Sequence, residues 1–223
     1  MKNKFLNIVL VLTLVLILKV VMMVEVLAKS ETLALDKADT KNLTVEETKM
    51  LEMSEARGKK MKHSYDVADV ENALVLKLKD GEVVIEMFPD VAPNHVARIK
   101  ELVRDGFYNG LKFHRVIDGF MAQTGCPLGN GTGGSGKKLK AEFNRVPHTR
   151  GVVSMARAMD PDSADSQFFI CFDNAPHLDG QYTVWGKVVS GMEFVDNIKK
   201  GGGYNGMVYQ PDEIISMEVI ADM

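Results

Sequence analysis

Arg115 stands in the run Phe113-His114-Arg115-Val116-Ile117-Asp118-Gly119-Phe120-Met121-Ala122-Gln123, where most neighbours are apolar. Burying a charge is costly unless it is paired, so an arginine in such surroundings needs a reason. One reason is structural: the guanidinium stacks on Phe113 or pairs with a distant carboxylate. The other is functional: a planar fork of donors stands at the rim of an apolar pocket built from Phe120, Met121 and Phe169. Such a fork could hold an acceptor atom of a bound molecule. The residues of this segment leave both readings open.

Other chemistry-bearing patterns fail on their own terms. The stretch Gly129-Asn130-Gly131-Thr132-Gly133-Gly134-Ser135-Gly136-Lys137 approaches a phosphate-binding loop and a dinucleotide fingerprint. Both need a strand before and a helix after, so that amides and the helix dipole converge on phosphate. Here Cys126-Pro127 precedes, Lys138 stands where a hydroxyl should hold magnesium, and no amphipathic helix follows, so a long loop is the better reading. Asp160, Asp162 and Asp165 begin like a calcium loop, but Asp165 and Cys171 occupy the places that need Gly and Glu. The histidines at 63, 95, 114, 148 and 177 lack metal-ligand spacing, and most are expected on the surface or behind a site. No Gly-x-Ser-x-Gly elbow supports a serine hydrolase. No metal and no cofactor are expected.

The elements that must position Arg115 read mainly as short strands. Segments 73–79 and 83–88 are strand-like and joined through Asp80-Gly81, which predicts a tight hairpin with φ > 0 at both positions. Pro93 opens a helix whose apolar residues Val96, Ile99, Leu102 and Val103 share one face, and Gly106 ends it. Further strands are expected over 112–117, 119–123, 151–155, 167–172, 184–188 and 213–220. Ser190 with Glu193 predicts a capped second helix with Met192, Val195 and Ile198 inward. Many short strands with two isolated helices predict a closed barrel with helical caps.

This body forms only part of the 223 residues. Hydrophobic content of 46% and a formal net charge of −3 exclude a wholly disordered chain, and 27 basic residues against 30 acidic ones argue against a nucleic-acid surface. Lys2 and Lys4 precede an apolar run to Leu18 that continues past Lys19, and Val26-Leu27-Ala28 resembles a cleavage site. Residues 1–28 therefore read as a signal peptide or, if uncleaved, a membrane anchor through an apolar helix over 5–24. Residues 29–66 are polar, with Thr44 and Glu47 placed as a capping box, and read as a linker; 67–223 is the folded domain. The domain is expected outside the cytoplasm, periplasmic or facing the periplasm from the inner membrane. Cys126 and Cys171 are expected as free thiols, and the protein as a monomer. The stretch Gly201-Gly202-Gly203-Tyr204 reads as a flexible loop.

Six blocks then occur in a fixed order: Phe113-His114-Arg115-Val116-Ile117, Gly119-Phe120-Met121-Ala122-Gln123, Gly131-Thr132-Gly133-Gly134, Ser154-Met155-Ala156, Ser166-Gln167-Phe168-Phe169-Ile170 and Leu178-Asp179-Gly180. Together they resemble the cyclophilin family of peptidyl-prolyl cis-trans isomerases over residues 72–221. The resemblance implies a mainly β fold: a closed eight-stranded antiparallel barrel capped by two α-helices, with a peptide groove outside. It implies Arg115 as the catalytic guanidinium and a proline pocket of Phe120, Met121, Phe169 and Leu178. Gln123, Ala156 and Gln167 would lie along the groove, with His114 at its edge. His177 and Tyr182 replace the tryptophan and histidine of the best-known eukaryotic members, which implies weak inhibition by cyclosporin. Arg157, where those members carry a small polar residue, would favour acidic groups before the proline.

The implied partners are proline-containing peptides and unfolded client proteins, and the implied role is folding of exported proteins. A proline-peptide binding module or membrane-tethered chaperone with incidental turnover is the competing reading.

Overall fold

The computed structural model describes residues 65–223. The expected signal or anchor over 1–28 and nearly all of the expected linker lie outside the described residues. At the start of the described chain, the Tyr65 hydroxyl donates to Glu82 at 2.9 Å, and Asp69 caps a short 3-10 turn over Val70–Asn72.

Eight strands follow: β1 (Ala73–Leu78), β2 (Gly81–Met87), β3 (Arg115–Ile117), β4 (Met121–Thr124), β5 (Val152–Met155), β6 (Phe168–Cys171), β7 (Val184–Ser190) and β8 (Ser216–Val219). They form one antiparallel sheet in the order β3-β4-β6-β5-β7-β2-β1-β8. Two helices accompany it, α1 (Pro93–Arg104) and α2 (Met192–Asp196). Pro93 starts α1, and His95, Val96, Ile99, Leu102 and Val103 are its buried positions. The apolar ones join Leu74, Leu76, Ile85, Phe113, Phe168, Ile170 and Trp185 in the main core.

The expected closed barrel is corrected to an open half-barrel. The edge strands β3 and β8 make no ladder with each other. Irregular chain bridges the seam instead, through Gly110 N–H to Ile214 O (2.7 Å), Ile214 N–H to Leu111 O (2.9 Å) and an isolated Lys112–Glu213 bridge. The free edge of β3 is occupied by the glycine loop 201–208. Val116 N–H donates to Gly206 O (2.7 Å), Gly201 N–H to Val116 O (2.9 Å) and Val208 N–H to His114 O (3.1 Å). Filling an edge in this way removes the open template for strand pairing.

Two local expectations are also corrected. The β1–β2 turn is Lys79-Asp80, with Gly81 paired to Leu78 inside β2 and no positive φ at any of the three. Gly81 is required by packing: a Cβ there would stand 2.5 Å from the Phe194 ring of α2. The N-cap of α2 is Gly191, at φ 81°, because Ser190 is consumed by β7.

A half-buried clamp ties α1 to the irregular segment before β5. Glu142 accepts from the backbone N–H groups of Asn94 (3.1 Å) and His95 (3.0 Å), from the Asn94 amide (2.7 Å), and pairs with His95 Nδ1 at 2.6 Å. Burial pushes the Glu142 carboxyl up, but these bonds outweigh it and hold the group below the usual carboxylate range. A pKa depressed by folding stabilises above the unfolded value, about 4.3, and that contribution is lost as pH falls through the folded value. Glu142→Gln is therefore expected to lower Tm at pH 7 by roughly 2–4 °C, equivalent to about 1 kcal/mol. The gap between variant and wild type should narrow in thermal melts as pH falls below the ordinary carboxylate value, about 4.3.

Candidate active site

Period-two alternation gives the sheet a second apolar face. In β4, Ala122 and Thr124 are buried inward while Met121 and Gln123 point outward; in β6, Phe168 and Ile170 enter the main core while Phe169 and Cys171 do not. The register pairs Arg115 with Gln123, Ile117 with Met121, Gln123 with Phe169 and Met121 with Cys171. Met121, Phe169, Cys171, Ala175 and Leu178 thus form a separate cluster, joined by Ile117, Phe120, Ala156 and Tyr182.

Arg115 stands beside this cluster with only neutral partners. Its Nε donates to the Asn205 carbonyl (3.0 Å) and its Nη1 to Gln123 Oε1 (3.3 Å), with Met121 Sδ 3.9 Å away. Among the described residues no carboxylate pairs with it, and Nη2 donates to no acceptor. The chain of bonds continues outward: Gln123 Nε2 donates to Gln167 Oε1 (2.9 Å), and Gln167 Nε2 donates to the carbonyls of Gly131 (2.9 Å) and Gly133 (2.7 Å). The glycine-rich loop thus supplies backbone acceptors that set the orientation of two glutamines.

The remaining expected site residues fall on the pocket's other walls. Leu178 is buried and His177 exposed in the 3-10 turn Pro176–Leu178, with the His177 ring tilted against Phe120 at 5.4 Å. Tyr182 packs edge-on to Phe169 at 5.9 Å. Arg157 lies 4.6 Å over the Tyr182 ring and donates to the carbonyls of Gln181 (3.0 Å), Ala158 (2.9 Å) and Met159 (3.2 Å), so it fastens two loops. Ala156 and Arg157, with Gln123 and Gln167, also line an adjoining cavity of about 260 Å³ that includes Lys138 and Asp165. The three aspartates whose spacing only begins like a calcium loop serve the loops: Asp160 caps a 3-10 turn, Asp162 accepts from Ala141 N–H (2.8 Å) and Asp165 from Ser135 N–H (2.6 Å).

His114, expected at the groove's edge, is buried against the Gly131 loop. It is 1% exposed, and a Cβ on Gly131 would lie 3.4 Å from its Nε2. Burial pushes its pKa below the ordinary histidine value, and the Arg115 charge adds to the shift, outweighing the nearby Lys112 backbone. Of the four histidines described, only His177 is exposed; His95 and His148 are also buried. Cys126 and Cys171 are free thiols, and burial pushes Cys171 up to about 12. Sequence reasoning missed Ile117 and Cys171 in the apolar cluster, although their alternation with Val116 and Ile170 marks them. It also missed the Asn205 carbonyl, for which no side-chain signal exists.

Known proteins of similar sequence and similar fold point to one family. The family model for "Cyclophilin type peptidyl-prolyl cis-trans isomerase/CLD" matches residues 73–219. A protein of Brucella suis named probable peptidyl-prolyl cis-trans isomerase is 58% identical over 168 residues, covering 70% of this chain and 86% of its own. One of Helicobacter pylori, named peptidyl-prolyl cis-trans isomerase, is 44% identical, covering 66% of this chain and 94% of its own. Among solved structures, a cyclophilin of Hirschia baltica aligns with TM-score 0.62 and 29% identity, over 70% of this chain and 76% of its own. A cyclophilin-type isomerase of Cryptosporidium parvum, crystallised in the presence of the dipeptide Ala-Pro, aligns with TM-score 0.61 and 28% identity, over 66% and 98%.

The seat of the glycine loop is testable by itself. Gly206 sits at φ +71°, and a Cβ there would lie 2.4 Å from Ile117 Cγ1. Gly206→Ala should displace the loop, withdraw the Asn205 carbonyl from Arg115, and shift the Arg115 Nε–Hε resonance in NMR spectra. An unmoved resonance would show that the loop does not hold the guanidinium.

Proposed function

The chain belongs to the cyclophilin-type peptidyl-prolyl cis-trans isomerase family and is a prolyl isomerase, and we propose that Arg115 is its catalytic residue and exported proteins its clients. Rotation about a peptide bond costs about 18–20 kcal/mol because it breaks amide resonance. At X–Pro the two planar isomers are close in energy, yet they exchange over tens to hundreds of seconds. No covalent bond has to form or break. The enzyme must hold the twisted amide more tightly than either planar form.

In the twist, the prolyl nitrogen regains a lone pair and becomes an acceptor. Arg115 retains its charge and an uncommitted Nη2, and this is the observation that carries the assignment. Phe120, Met121, Phe169 and Leu178 receive the proline ring and exclude water. Gln123, Gln167 and Ala156 line the groove for the flanking backbone. His177 and Tyr182 extend its aromatic wall, and His114 acts from beneath through the Gly131 loop. A hydrogen bond from a charged donor contributes about 1.5–3 kcal/mol, roughly ten- to a hundredfold in rate. Desolvation and clamping of the peptide supply the rest. Arg157 and Lys138 place positive charge at the adjoining cavity, which favours an acidic residue before the proline. The Ala-Pro dipeptide used with the Cryptosporidium parvum structure supports proline-peptide binding as the mode of recognition.

The export role rests on residues 1–28: a basic head, an apolar run and a small-residue site. The protein acts in the periplasm, free after cleavage or held by residues 5–24. Mass spectrometry of the N-terminus after cell fractionation tests this. A periplasmic chain starting at Lys29, or an intact membrane-bound chain, agrees; an intact soluble cytoplasmic chain overturns it.

Catalysis is tested by magnetisation-transfer NMR of an Ala-Pro peptide with the full chain. Arg115→Ala is expected to lower kcat/KM by about 10²–10³, the scale of losing one preorganised donor. Arg115→Lys should also be poor, because lysine lacks the planar fork. Wild-type exchange in either variant removes Arg115 from the mechanism.

A further inference from the structure

One wall of the proline pocket belongs to the sheet and the other to the segment 173–183. The sheet contributes Met121 and Phe169. The segment contributes Leu178, His177 and Tyr182, and between β6 and β7 it has no strand of its own. Something else must hold the two walls at a fixed separation.

His148 occupies that place. It is 2% exposed and touches both walls. Its ring stacks on Phe169 at 6.2 Å and 16°, and meets Tyr182 edge-on at 6.5 Å. Its Nδ1 lies 2.9 Å from Asp179 Oδ1, and its Nε2 lies 3.0 Å from the Ser154 hydroxyl on β5. The backbone repeats the connection: His148 N–H donates to Asp179 Oδ1 (2.8 Å), and Ala175 N–H donates to His148 O (2.8 Å). A single residue therefore joins the sheet to both ends of the turn that carries Leu178.

The order Ser154, His148, Asp179 is that of a hydrolytic triad, but the chemistry is not. Ser154 is fully buried and cannot meet a substrate. The hydrogen bonds assign the protons. A carboxylate only accepts, so Nδ1 carries the hydrogen toward Asp179. Burial pushes the His148 pKa below the ordinary histidine value, against the pull of Asp179, and Nε2 faces the Ser154 hydroxyl oxygen. The Ser154 hydroxyl donates to the Thr183 carbonyl (3.0 Å), which also accepts from Met155 N–H. Both ring nitrogens thus have a polar partner within hydrogen-bond distance in a largely buried site, which makes the arrangement stiff.

We propose that His148 and Asp179 are positioning residues for isomerisation, setting the separation between Phe169 and Leu178 and thereby the ring size the pocket accepts. The inference rests on the pocket assignment above. Asp179 is the handle, because its carboxylate is partly exposed at the surface while its partner is not.

The test compares Ala-Pro with Ala-pipecolyl peptides, whose six-membered ring is one methylene larger. With the full-length wild type, kcat/KM should favour the proline peptide at least tenfold, the scale of one methylene in a fitted apolar pocket. In Asp179→Ala the turn loses its tether, and this ratio should fall threefold or more, mainly through a raised KM for the proline peptide. Asp179→Asn keeps an acceptor for both His148 donors and should restore most of the ratio. His148→Gln, which loses the stack on Phe169, should lower it in the same way. Far-UV circular dichroism at the assay temperature establishes that the variants compared are folded. An unchanged ratio in folded Asp179→Ala overturns the positioning role, as does an equal loss in Asp179→Asn. A wild type indifferent to ring size would instead overturn the pocket assignment.

Discussion

Among the described residues no carboxylate neutralises the positive charge of Arg115, and the rest of the site is organised around that constraint. A charge next to an apolar surface is tolerated only if its donors find acceptors. Here the acceptors are neutral: the Asn205 carbonyl and the Gln123 amide oxygen. Neutral acceptors orient a guanidinium without cancelling its field. A carboxylate in either place would form a charge-assisted pair and compete with the weak acceptor that a twisted prolyl nitrogen offers. The two glutamines then need orientation themselves, and the carbonyls of Gly131 and Gly133 provide it through Gln167. A glycine-rich loop that looks like a phosphate cradle in sequence thus turns carbonyls, the opposite dipole, toward the site.

The open sheet follows from the same need. A barrel closed between β3 and β8 would use the edge of β3 for a strand ladder. That edge is instead taken by loop 201–208, which brings the Asn205 carbonyl to Arg115 Nε. The short β3 gives up regular pairing, and the seam is bridged by chain at Leu111 and Ile214. Irregular backbone is acceptable there because its polar groups remain paired. The loop whose glycines read as flexibility has close contacts of its own, since Gly206 packs against Ile117 with no room for a Cβ.

What the sequence revealed and what it hid divide along a physical line. Helix α1 was legible because Pro93, the spacing of Val96, Ile99, Leu102 and Val103, and Gly106 are all local signals. The two-faced character of β4 and β6 was legible because alternation has period two. Gly81 and Ser190 were misread because local turn and capping preferences gave way to tertiary contacts: the Phe194 ring against Gly81, and continuation of β7 through Ser190. The burial of His114 has a related cause. Its neighbour Arg115 faces the groove, so alternation sends His114 the other way, beneath the Gly131 loop. Asn205 acts through a carbonyl that every residue possesses, and no residue type announces it.

A reaction that only rotates a bond makes unusual demands on such a scaffold. With no covalent intermediate, the preference for the twisted amide must come from fixed geometry, and a displacement of about 1 Å can cost orders of magnitude. The sheet supplies rigidity to Met121, Gln123 and Phe169, which are held by ladders on both sides. The opposite wall has no ladder and must borrow its rigidity. His148 supplies it by placing an aromatic plane, two ring nitrogens and two backbone groups in a dry junction between the turn and the sheet. The fold therefore spends its buried polar chemistry on orientation, and leaves the Arg115 guanidinium with an uncommitted Nη2 beside the apolar cluster.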